Sequence, residues 1–142
     1  MTGDLIFVKP TNVTGKLVAF FSGSKYCHVG IMVNSSEIAE INLGYTFDIR
    51  PMTYTDYDIY RVTDDFDANE LIDIIHDKVG MSYDVMDLLR ILFKISFKAT
   101  PKKVICSEIV NQCFGLLGIQ LSNKKIPTPQ DIIDGGKVER VI

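Results

Sequence analysis

A chain of 142 residues, 46% hydrophobic and 23% charged, is long enough to bury a core of its own and too apolar for a disordered segment. Its net charge of -3 argues against a general attraction to phosphate backbones, and so against nucleic acid as a partner. Three cysteines, an amino terminus that carries acidic Asp4 and a four-residue apolar run, and no uninterrupted bilayer-length stretch lead us to expect a cytoplasmic protein with free thiols and neither a signal peptide nor a transmembrane segment.

The first apolar run, Leu5 to Val8 within "DLIFVK", suits a buried strand, and residues 14–22 suit a short helix that Gly23 stops. "CHVGIMV" and "EIAEIN" follow as two strands joined by turn-forming Asn34, Ser35 and Ser36. Strands around Thr46 to Arg50 and from Tyr57 to Val62 complete an antiparallel sheet. The second half is helical. Leu71, Ile74, Ile75 and Val79 recur at helical spacing, with Asp67 as amino-terminal cap and Gly80 as stop. A second helix is expected over 84–97 and a third over 107–118, with Cys106 at its start. A short turn, "PQDIID", and a last strand in "KVERVI" close the chain. Segregated strands and helices predict an α+β fold, and the absence of repeats, linkers and low-complexity segments predicts a single domain over residues 1–142.

A cysteine placed where a helix begins is exposed to unpaired N–H groups and the positive end of the helix dipole, both of which favour thiolate. Cys106 is therefore a candidate nucleophile, for which the plain alternative is a small core side chain. Ser107 and Glu108 are explained as first-turn residues and need no chemical role. A nucleophilic cysteine needs a base, usually histidine, and a group that orients the imidazole. His76, in a helix beside Asp73 and Asp77, reads as a solvated residue. His28 lies in a strand, where side chains alternate: His28, Gly30 and Met32 point one way, and Cys27, Val29, Ile31 and Val33 the other. The second set is apolar and faces the core, which leaves His28 facing something else beside a glycine that makes room. Cys27 then cannot share a site with His28, and Cys113 lies roughly 10 Å along the helix from Cys106, too far for a disulfide within it. Both read as core residues, and no zinc-like ligand spacing is present.

The orienting group depends on hairpin register. With Asn34 to Ser36 as the loop, Gly30 pairs with Glu40 and His28 with Asn42, so Glu40 is a diagonal neighbour of His28. A two-residue loop would swing Glu40 to the core face, where an unpaired carboxylate is costly.

"GDLIFV", "YCHVGIMV" with the carboxylate of "EIAEI", "YDIYRV", "GMSYD", "VICSEIV" and "PTPQDI", in this order, resemble the circularly permuted members of the NlpC-type papain-like superfamily, especially YiiX-like hydrolases. In that group, as here, the histidine precedes the cysteine. The resemblance implies a circularly permuted papain-like fold, an antiparallel sheet packed against helices. It also implies a cysteine hydrolase acting on an amide, peptide or ester bond, without cofactor or metal, with Cys106 as nucleophile, His28 as general base and then acid, and Glu40 as orienting group. Tyr83 in "GMSYD" matches a recurrent tyrosine placed near the substrate together with Gly30, and Thr128-Pro129 matches a pair of architectural character. Two other readings stay open: acyl transfer to a lipid or protein amine on the same fold, and a catalytically silent peptide- or acyl-binding module.

Arg90, Lys94, Lys98 and Lys102 recur every four residues. The plain reading is a solvated helix face, and the functional one a weak contact with an anionic or lipidic surface through Arg90, Lys94 and Lys98.

Overall fold

The computed structural model describes residues 1–11, 24–42, 45–82, 101–125 and 127–142. The helices expected over 14–22 and 84–97, together with Tyr83, Arg90, Lys94 and Lys98, lie outside the described residues.

Six strands form one antiparallel sheet: β1 Leu5–Val8, β2 His28–Met32, β3 Glu37–Glu40, β4 Asp48–Pro51, β5 Tyr57–Val62 and β6 Val138–Arg140, in the spatial order β4-β3-β2-β1-β5-β6. Three helices are described, α1 Ala68–Lys78, α2 Pro101–Leu116 and α3 Pro129–Asp134. The architecture is α+β, as expected.

The alternation of each strand separates two apolar clusters. Leu5, Phe7, Val29, Ile31, Ala39 and Ile41 face the larger one, which takes Leu71 and Ile75 from α1 and Ile109, Val110, Cys113 and Phe114 from α2. Ile6, Val8, Met32 and Ile38 face the other way into a smaller cluster, backed by Met52, Tyr54, Tyr57 and Ile59. The sheet is thus covered in part on both faces.

Local chemistry accounts for the helix ends. Asp67 caps α1, its Oδ1 accepting from the Asn69 N–H at 2.8 Å. An eleven-residue helix is marginal alone. Burying Leu71 and Ile75, worth roughly 1.5–3 kcal/mol each, attaches it to the core. Its chain reverses at Gly80, whose φ of 88° falls in the left-handed region and whose N–H donates to the Phe47 carbonyl at 2.8 Å. In α3, Thr128 and Asp131 form a reciprocal capping box, with Pro129 in the first turn.

The described part of α2 includes Pro101, so the helix is already under way at Cys106, where it was expected to begin. Lys102 and Lys103 are good helix formers. Five described helical residues precede Cys106, which places it beyond the unpaired N–H groups of the first turn.

Candidate functional site

The β2–β3 hairpin has the register expected for a three-residue loop. Ile31 pairs with Ala39 and Met32 with Ile38. The Val33 N–H donates to the Glu37 carbonyl at 3.0 Å. The turn is closed by Asn34, whose Oδ1 accepts from the Ser36 N–H at 2.9 Å. Ile38 and Glu40 accordingly share one face with Met32.

At the start of β2 the ladder is irregular. His28 pairs with Val8, yet the Cys27 N–H also donates to the Val8 carbonyl, at 3.0 Å. Two residues opposite one is the pattern of a β-bulge, which re-aims side chains. Cys27 is half-buried rather than a core residue, and its thiol lies 3.6 Å from the Val8 carbonyl. Cys113, in contrast, is fully buried, as expected, and burial pushes its thiol up to about 11.

His28, Glu40 and Cys106 come together. His28 Nε2 meets Glu40 Oε2 at 2.6 Å, with both side chains buried. His28 Nδ1 is buried and has no hydrogen-bond partner among the described residues. The Cys106 thiol lies close enough to the imidazole for each to favour the other's charged form, with further support for the thiolate from the Val29 backbone and the Ser107 hydroxyl. Ser107 Oγ lies 4.0 Å from Cys106 Sγ.

Electrostatics follow from this placement. Burial alone would neutralise the imidazole, but Cys106 and Glu40 outweigh it and raise His28 to about 9. Burial also works against the Cys106 thiolate, and His28 outweighs it, so the thiol is held below its ordinary range. Glu40 is lowered despite its burial, because His28 and Tyr54 hydrogen-bond to its charged form. Each of the three buried groups is thus shifted toward its charged form by its neighbours: carboxylate, imidazolium and thiolate. The depression of Cys106 comes from His28 and not from a helix terminus, whose effect falls off within the first turn. For the same reason the Cys106 N–H, past the first turn of the helix, is committed to the helical ladder and not to an oxyanion.

Gly30 is buried under β3. A Cβ there would lie 3.2 Å from the Ala39 carbonyl, 3.3 Å from Ile38 Cδ1 and 3.5 Å from Glu40 Cβ. The missing side chain lets β3 approach with Glu40 beside His28. Tyr54, in the connection between β4 and β5, was not anticipated. Its hydroxyl donates to Glu40 Oε2 at 2.8 Å. Nothing in the local pattern "PMTYTD" sets where that connection runs, so no sequence signal pointed to it. His76 is exposed on α1, as expected.

No family model matches the chain, and no curated protein does. Among solved structures it is similar to one described as the metalloprotein YiiX of Escherichia coli O157:H7, DUF1105. The two share 19% identity with a TM-score of 0.64, over 100% of this chain and 96% of the other. The likeness shows a YiiX-like fold.

Proposed function

We propose that the chain is a cysteine hydrolase that cleaves an amide, peptide or ester bond through Cys106, His28 and Glu40, on a permuted papain-like plan. The observation that carries this reading is the single imidazole shared by a buried carboxylate and a buried thiol, each shifting the other toward its charged form. Thiolate Sγ attacks the carbonyl carbon and forms a C–S bond. Imidazolium His28 then gives its proton to the leaving nitrogen or oxygen as that bond breaks, leaving a thioacyl enzyme. Water adds to the thioester, its proton passes to His28, and the acid leaves as the Cys106 thiolate is re-formed. Glu40 holds the imidazole and stabilises its charged form throughout. An amine or alcohol in place of water would make the same site an acyltransferase.

The similar solved structure is described as a metalloprotein. The described residues here contain no group of three or more His, Cys, Asp or Glu side chains arranged to hold an ion. Also among the described residues, no helix is long and apolar enough to cross a membrane.

The test is the pH dependence of alkylation of each cysteine, read by peptide mass, in the native chain and in His28→Ala. We expect Cys106 to label well below the ordinary thiol pKa of about 8.5, and this advantage to vanish in His28→Ala. A Cys106 profile that stays at the ordinary value and ignores His28 would overturn the reading.

A further inference from the structure

Tyr54 has no part in the mechanism above, yet it touches two of its members. Its hydroxyl bonds to Glu40 Oε2, the same oxygen that takes His28 Nε2. Its ring lies 5.5 Å from the imidazole, centroid to centroid, at an interplanar angle of 44°. The other carboxylate oxygen is held weakly, by Asn42 Nδ2 at 3.4 Å. Arg50, on β4, is spent on the Glu40 backbone carbonyl at 3.2 Å. Asp48, paired with Glu40 across β3 and β4, accepts from its neighbour Ile49. Cys106 of α2 couples electrostatically to His28.

The terminal torsion of a glutamate is broad and does not by itself select one carboxylate orientation. Two short bonds on one oxygen do select it. Of these, one is the bond to His28 itself, so the independent restraint comes from Tyr54.

We propose that Tyr54 is a positioning residue: its hydroxyl pins Oε2 of Glu40 in the acceptor role, which aims and holds the His28 imidazole against Cys106. The proposal rests on the cysteine-hydrolase reading and adds a fourth residue to it, from a fourth segment of the chain. Burial and the adjacent Glu40 charge raise the tyrosine well above its ordinary value, so the hydroxyl stays a donor over the whole working range.

The experiment titrates the Cys106 thiolate by its ultraviolet absorbance, as the difference from Cys106→Ser, which does not require a reagent to enter the buried site. Wild type, Tyr54→Phe, His28→Ala, Glu40→Gln and the double variant Glu40→Gln/Tyr54→Phe are compared. Tyr54→Phe keeps the ring and removes only the hydroxyl. We expect its thiolate midpoint to rise by about half a pH unit, roughly a threefold loss of the ion pair, and less than in His28→Ala. In the Glu40→Gln background the Tyr54 change should add nothing, because Tyr54 acts through Glu40. A Tyr54→Phe chain with a lowered melting temperature and a wild-type midpoint would overturn the proposal and leave the tyrosine a packing residue. A His28→Ala midpoint equal to wild type would instead remove the hydrolase reading itself. If Tyr54→Phe does not fold, Tyr54→Met, which also lacks the hydroxyl, is read by the same criteria.

Discussion

The charges of His28 and Cys106 are linked, and their contributions to stability run in opposite directions with pH. His28, raised to about 9 from an ordinary 6.5, stabilises the fold fully below 6.5, and that contribution is lost as pH rises through 9. Cys106, lowered from 9.0, contributes fully above 9.0 and loses its contribution as pH falls through its lowered value. Between 6.5 and 9 the two slopes oppose each other, the imidazole favouring the fold less and the thiol favouring it more as pH rises. Glu40, lowered from 4.5, contributes above 4.5 and ceases to do so as pH falls through its lowered pKa. Glu40→Gln should therefore reduce stability at neutral pH by about 2 kcal/mol, the worth of a hydrogen bond to a charged group, measured by urea unfolding. The difference from wild type should shrink below pH 4.5. A gap that stays constant into acid would show that the carboxylate charge is not what stabilises the site. The placement of Glu40 beside His28 was legible because strand parity and the cost of an unpaired buried carboxylate select one hairpin register. The source of the thiol's activation was not, because the start of α2 depends on residues before Cys106 that "VICSEIV" does not contain.

At the scale of elements, the site depends on how closely β2 and β3 approach at Gly30. A methyl group there meets the Ala39 carbonyl at 3.2 Å, a backbone atom that cannot easily retreat, and Ile38 Cδ1 at 3.3 Å, a side-chain end that can. Overpacking of this kind costs about 1–3 kcal/mol, whereas replacing glycine by alanine returns about 0.4–1 kcal/mol through the unfolded chain. The balance makes Gly30→Ala destabilising by about 1 kcal/mol, to be read from denaturant midpoints. Because Glu40 Cβ is the third neighbour, at 3.5 Å, the thiolate midpoint of Cys106 should rise as well. A stabilised Gly30→Ala with an unchanged midpoint would mean that the two strands have slack. The strands themselves were readable from short apolar runs and turn residues, β5 to its exact ends, since these are local signals. Tyr54 was hidden because its place follows from the path of an irregular connection, which no periodicity encodes.

For the whole molecule, the sheet is tied at one end by a single buried carboxylate. Asp58 of β5 bonds with the Tyr26 hydroxyl just before β2, with Lys9 after β1 at 3.2 Å, and with Arg140 of β6 at 2.9 Å. Lys25 adds a fourth partner at 3.6 Å. Burial alone would raise this carboxyl, but Tyr26, Lys9 and Arg140 hold it below the usual range. Removing one member of a fully buried ion pair costs about 3–5 kcal/mol, because the other charge is stranded. Here Arg140 and Lys25 are more than half exposed and would turn to water, while in Asp58→Ala the Tyr26 hydroxyl, 2% exposed with its residue, would keep only its long 3.4 Å contact with the Tyr60 hydroxyl. The expected loss is nearer 2–3 kcal/mol in urea unfolding, with Asp58→Asn milder because it keeps an acceptor for that hydroxyl. The difference from wild type should persist above pH 3.8 and close as the pH falls through the lowered pKa of Asp58. Asp58 bonds to none of His28, Glu40 and Cys106, so the variant chains, measured while folded, should titrate the Cys106 thiolate at the wild-type midpoint. A shifted midpoint would mean that the strand ends held by Asp58 also set the aim of the imidazole.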